Sequence, residues 1–134
     1  MPNVLIVEDH PEVREMIRTI LESHGVFVFP AADAAAALAA VDHAHFDAVI
    51  VDVQLPRMSG LDLVRELRRR QHGRDRQLPI CVMSGISDPD VWNAATPAGA
   101  DATLEKPFSN ADLIAQVQKL CALSESAELC AALA

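Results

Sequence analysis

Short aliphatic runs recur along this chain, and each is followed by a stretch in which apolar residues fall at helical spacing. The runs are Val4–Val7, Val26–Phe29, Ala48–Val51 (closed by Asp52) and Pro79–Met83, and Ala102–Glu105 reads as a short fifth strand. Runs so short and so continuously apolar suit strands buried on both faces, the condition of a parallel sheet covered by helices. After the first run, Val13, Met16, Ile17, Ile20 and Leu21 trace a helix that Pro11 starts and Gly25 stops. Asp33 is placed to cap an Ala-rich helix reaching about Val41. Gly60 opens a third helix with Leu61, Val64 and Leu67 inward. Asp88 to about Ala95 reads as a weaker helix that Pro97 cuts short. Ser109-x-x-Asp112 resembles a capping box with Asp in the Glu position, opening a last helix with Leu113, Ile114, Val117, Leu120 and Cys121 inward.

Strands alternating with helices in this way predict an α/β chain, a doubly wound (βα)5 three-layer sandwich with right-handed connections. The flavodoxin-like strand order 2-1-3-4-5 fits it. At 134 residues the chain makes one domain, and no internal repeat shows. Residues 1–122 suffice for the sheet and its helices, leaving 123–134 as a C-terminal extension or the start of a linker. Within it, Leu123, Ala127, Cys130 and Leu133/Ala134 recur at helical spacing. A frayed tail and an extra helix that packs on the domain or mediates a homodimer are the two alternatives.

Composition narrows the function classes. A net charge of −8 argues against nonspecific binding to nucleic acid or to anionic membranes. One Trp, four Phe and no Tyr leave little surface for stacking on bases. The three cysteines have no CxxC spacing and their odd number argues against a disulfide framework. With no leader peptide and no bilayer-length apolar stretch, the expectation is a cytoplasmic protein.

The acidic residues fall where such sheets bind ligands, at the carboxyl ends of the strands. Glu8-Asp9 ends the first run and Asp52 the third; Ser84-Gly85 ends the fourth, and Lys106 follows the fifth. Three carboxylates make a site for a hard cation, and Mg²⁺ is satisfied by one to three of them plus waters and a phosphate oxygen. Asp52 is then placed to attack phosphorus, with Lys106 pairing with a phosphoryl oxygen and Ser84 bonding to it.

Glu8-Asp9, Asp52-x-x-Leu-Pro-x-x-x-Gly60, Ser84-Gly85 and Lys106-Pro107-Phe108 occur in the order and spacing of a response-regulator receiver domain. The resemblance to this CheY-like family of two-component signalling covers residues 3 to about 121. It implies that Asp52 accepts a phosphoryl group from a phosphohistidine on a sensor histidine kinase or a histidine phosphotransfer protein. It implies Mg²⁺ held by Glu8, Asp9, Asp52 and the backbone carbonyl of Gln54, with Ser84 the switch hydroxyl and Lys106 the phosphate-binding lysine. It further implies a phosphorelay switch that assists only its own phosphorylation and dephosphorylation. Its output would be a shifted conformation of the face formed by the fourth helix, fifth strand and fifth helix, read by a downstream protein. Two positions depart from the family. Thr103 stands where a Tyr or Phe rotamer switch is usual, and Pro97 sits near the end of the fourth helix. Gln54 and Ile86 match positions that tune phosphate lifetime.

Each motif has a plainer reading. Asp9 alone suits a helix cap, Ser84-Gly85 a turn, and Lys106-Pro107 a surface lysine before a turn. Arg65, Arg68, Arg69, Arg70, Arg74 and Arg76 read as a solvated helix face and loop. His10 reads as a solvated loop residue, Cys81 as core packing and Trp92 as partly buried. Among rival functions, an aspartyl-phosphate phosphatase needs a second Asp where Gln54 stands, and a flavin carrier would meet repulsion from Glu8-Asp9. A receiver fold that binds a partner without phosphorylation draws its support from Thr103.

Overall fold

The computed structural model describes residues 2–70, 78–85 and 89–133, with the backbone alone for 124–133. The elements are β1 (Asn3–Val7), α1 (Pro11–Glu22), β2 (Phe27–Ala31), α2 (Ala34–His43) and β3 (Ala48–Asp52). They continue with α3 (Gly60–Arg70), β4 (Ile80–Ser84), α4 (Pro89–Ala98), β5 (Ala102–Glu105) and α5 (Asn110–Leu133). All strand pairs are parallel, in the order β2-β1-β3-β4-β5. This is the doubly wound three-layer sandwich that the alternation predicts.

Strand periodicity divides the core. Val4 and Ile6 point to the layer of α1 and α5, where they meet Ile17, Leu21, Leu113 and Val117. Leu5 and Val7 point the other way, toward Leu63, Val64, Leu67 and Ala95 on α3 and α4. Both sets are fully buried, which is why β1 is apolar at every position from Val4 to Val7. Asp33 caps α2 by accepting from the Ala36 amide at 2.8 Å, and Ser109 Oγ accepts from the Asp112 amide at 3.0 Å at the start of α5.

Several local expectations change. The second strand starts one residue later than its apolar run and extends to Ala31, because pairing with β1 runs on to Val7↔Ala31 and includes Pro30 at the edge of the sheet. Pro97 does not cut α4 short; the helix runs to Ala98, with Pro97 in its last turn. A proline so close to the end disturbs little of the ladder, and Gly99, at φ 120°, makes the stop. The expected start at Asp88 lies outside the described residues, as do Ile86, Arg74 and Arg76. Ile114 is half-buried rather than inward. The helical spacing after Leu123 prolongs α5 to Leu133 instead of opening a new helix.

Arg68 is the largest departure from the solvated-face reading. Its side chain is 14% exposed, and its guanidinium donates to Gly99 O at 2.9 Å, Leu78 O at 2.5 Å and Asp101 Oδ2 at 2.8 Å. Arg65, Arg69 and Arg70 follow the expectation more closely, paired on the surface with Asp62, Glu66 and Asp42.

Candidate functional site

β1 and β3 lie side by side in register Val7↔Val51, so Glu8-Asp9 and Asp52 arrive together at the carboxyl edge of the sheet. Next to them β4 pairs with β3 through Asp52↔Met83 and with β5 through Ser84↔Glu105. The Lys106 amide donates to the Ser84 carbonyl at 2.8 Å, carrying the pairing one residue past β5. The Lys106-Pro107 peptide is cis. Gly60 brings the start of α3 against the same edge: a Cβ there would lie 2.1 Å from the Asp52 carbonyl oxygen.

Ligand oxygens of Glu8, Asp9 and Asp52 lie within 4.8 Å of one another. Lys106 Nζ donates to Glu8 Oε2 and to Asp52 Oδ2, each at 2.7 Å. The Gln54 amide donates to Asp52 Oδ1 at 2.9 Å. Glu8 and Ser84 are fully buried and Asp52 nearly so, whereas Asp9 is exposed. Burial, reinforced by its hydrogen bond with Asp52, pushes the Glu8 carboxyl up to about 7, against the pull of Lys106. Burial works against the charge on Lys106, but its hydrogen bonds to Asp52 and Glu8 outweigh it and hold the lysine above its ordinary range.

The donor set is all oxygen, three carboxylates with neither imidazole nor thiolate among them, and this suits a hard cation such as Mg²⁺. Asp9 also lines an open depression of about 630 Å³ together with Val53, Gln54, Pro56, Arg57 and Met58. Gln54, the expected carbonyl donor, is therefore on the same mouth as the exposed carboxylate.

Residues 4–118 match the family described as the response regulator receiver domain. The chain belongs to the response regulator receiver family. A curated relative, transcriptional regulatory protein PrrA of Mycobacterium tuberculosis, is 36% identical over 119 residues, 89% of this chain and 49% of PrrA. The receiver thus spans about half the length of that relative. Among solved structures, chemotaxis protein CheY4 of Vibrio cholerae is 32% identical with a TM-score of 0.83, covering 90% of this chain and 98% of its own. The receiver domain of sensor histidine kinase PA1611 from Pseudomonas aeruginosa is 29% identical, with a TM-score of 0.80 over 90% of this chain and 98% of its own; that structure has a magnesium ion coordinated in the active site cleft. The chain is therefore a receiver module of two-component signalling, of the kind found in response regulators and histidine kinases. No helix among the described residues is long and apolar enough to cross a membrane.

All six site residues expected from the sequence come to this one edge. Other positions divide. His10 is exposed, and its backbone amide, not its ring, donates to Glu8 Oε1 at 3.2 Å. Trp92 is half-buried on α4, and Cys81 is buried with its thiol pushed up to about 12 by desolvation. Thr103 is exposed on β5, opposite Val82. Sequence reasoning passed over Arg14. Its Nη1 donates to the Glu8 carbonyl at 2.8 Å and reaches the Asp9 carbonyl at 3.4 Å. An arginine on the first turn of a helix carries no mark of its partners in a single sequence.

Proposed function

We propose that this receiver takes a phosphoryl group on Asp52 from a phosphohistidine of a sensor histidine kinase or phosphotransfer protein. The observation that carries the reading is the convergence of the Glu8, Asp9 and Asp52 oxygens within 4.8 Å, with Lys106 Nζ 2.7 Å from two of these side chains. Glu8, Asp9, Asp52 and the Gln54 carbonyl are the Mg²⁺ ligands in this reading. Mg²⁺ supplies charge neutralisation for the phosphoryl oxygens. An oxygen of Asp52 forms the new bond to phosphorus as the bond from phosphorus to the donor nitrogen breaks, and the imidazole leaves with its electron pair. The Gln54 amide holds the other Asp52 oxygen and so fixes the plane of the carboxylate. Lys106 exchanges its Asp52 contact for a phosphoryl oxygen, and Ser84 turns its hydroxyl to the same group.

The receiver unit is residues 1–122, with 123–134 an extension or the start of a linker, working in the cytoplasm. Its output is a population shift of the α4-β5-α5 face toward a state that a downstream protein binds. The exposed Thr103 favours one second reading, a receiver that binds its partner irrespective of phosphorylation.

Intact-mass spectrometry after exposure to acetyl phosphate tests the first reading. A gain of one phosphoryl mass with Mg²⁺, absent with EDTA and absent in Asp52→Asn, is expected. A folded wild type that stays unmodified under acetyl phosphate and under a phosphorylated histidine kinase would leave the phosphorylation-independent reading.

A further inference from the structure

Glu8 and Asp9 lie just beyond the last ladder pair of β1, where the sheet holds the backbone on one side only. The β1–β3 register ends at Val7↔Val51. On one side the Glu8 amide still donates to Ala31 O at 3.0 Å. On the other side, the Glu8 carbonyl receives the Arg14 guanidinium at 2.8 Å, and the same Nη1 lies 3.4 Å from the Asp9 carbonyl. Arg14 is half-buried on α1, and its own amide donates to His10 O at 2.9 Å. The guanidinium thus spans from the first turn of α1 back to the peptide units that carry both acidic side chains.

We infer that Arg14 is a positioning residue for the cation site, acting through the backbone of Glu8 and Asp9 and touching neither the metal nor the phosphoryl group. The inference rests on the Mg²⁺ reading above. A carboxylate at a loop position holds useful geometry only if its own backbone is held. Glu8 is already restrained by burial and by Lys106. Asp9 is exposed, and among the described residues its carboxylate has no side-chain hydrogen bond or ion pair, so the backbone is what aims it. The rival account is long-range charge, and it has the opposite sign. A cationic guanidinium near a Mg²⁺ site repels the ion, so removing the charge should tighten binding. Removing a positioning clamp should weaken it.

The test is a MgCl2 titration of the full chain, followed by backbone amide NMR shifts at the site, for wild type, Arg14→Met, Arg14→Lys and the control Arg68→Met. Arg14→Met keeps the stem length and loses every donor. It is expected to weaken Mg²⁺ by about tenfold, the usual scale for an outer-shell partner of a ligand. Arg14→Lys, with one donor group and the charge intact, is expected to fall between. At saturating Mg²⁺ the acetyl phosphate rate of Arg14→Met should return to near the wild-type value, because Asp52 and Lys106 are untouched. Mg²⁺ affinity unchanged or tightened in Arg14→Met would overturn the inference while leaving the phosphorylation reading intact. An equal loss in Arg68→Met would also overturn it, by tracing the effect to general loosening of the fold. A wild type that binds no Mg²⁺ would sink both together.

Discussion

Glu8 sits out of water beside Asp52, with Lys106 as the shared counter-ion. Its carboxyl titrates at 4.5 in an ordinary setting and at about 7 in the fold. Between those values the folded state holds the extra proton, so this group favours folding fully at low pH and the gain is lost as pH rises through 7. Urea unfolding in EDTA should therefore show a midpoint that falls from about pH 5 to about pH 8 by more in wild type than in Glu8→Gln. Adding Mg²⁺ should lift the wild-type midpoint more at the higher pH, where the carboxylate is free to bind it. Lys106→Met leaves two crowded carboxylates without a counter-ion, and in EDTA near neutral pH it should cost about 3 kcal/mol. The same variant should lose most of its phosphorylation rate with acetyl phosphate even when Mg²⁺ is saturating, since the lysine pairs directly with Asp52. None of these contacts is visible in Glu8 or Lys106 taken singly, 98 residues apart.

α3 links the acidic edge of the sheet to the far side of the domain, and each of its ends can be tested separately. At its start, Gly60 is glycine because a Cβ would collide with the Asp52 carbonyl and the Val53 Cα. Gly60→Ala should cost about 2–3 kcal/mol through that overlap, and slow phosphorylation by shifting Asp52; thermal unfolding and the acetyl phosphate rate check it. At its other end, Arg68 holds Leu78 O, Gly99 O and Asp101. Arg68→Met should lower stability by about 2–3 kcal/mol, because buried acceptors lose a charged donor, with the Mg²⁺ affinity unchanged. Helical spacing in α3 pointed to Leu61, Val64 and Leu67; Val64 and Leu67 are buried, but Leu61 is only partly so, and it is Leu63 that completes the buried face. The spacing could not tell Arg68 from Arg65 or Arg69, since what separates them is the β4 and α4 backbone that Arg68 meets. α4 teaches the converse: Pro97 is a strong local signal, and its position relative to the helix end decided how little it mattered.

At the scale of the molecule, one edge of a parallel sheet gathers the acidic residues, Ser84 and Lys106, and α5 runs on as far as Leu133. The buried stripe of α5 comprises Leu113, Val117, Leu120 and Cys121, while Leu123 is 47% exposed. Truncation after Ala122 should therefore leave the unfolding midpoint and the Mg²⁺-dependent phosphoryl gain near wild type. A collapse of either on truncation would place residues 123–134 inside the folding unit. The long-range pairing of β1 with β3, and of Lys106 with Glu8 and Asp52, makes the site a property of the closed fold and not of any segment.

The sequence by itself determined the alternation of strands and helices, their approximate bounds, and the identity of Glu8, Asp9, Asp52, Ser84 and Lys106 as residues at strand ends. It could do so because strand burial on both faces and helical spacing are local, periodic consequences of the chain. Tertiary structure alone decided that Glu8 is wholly buried while its neighbour Asp9 is exposed, and that Lys106 bridges two carboxylates. It also decided that the Arg14 guanidinium reaches backbone carbonyls, and that of Arg68 two backbone carbonyls and Asp101. Those outcomes depend on which elements lie within hydrogen-bond reach, a distance set by strand order and packing rather than by spacing along the sequence.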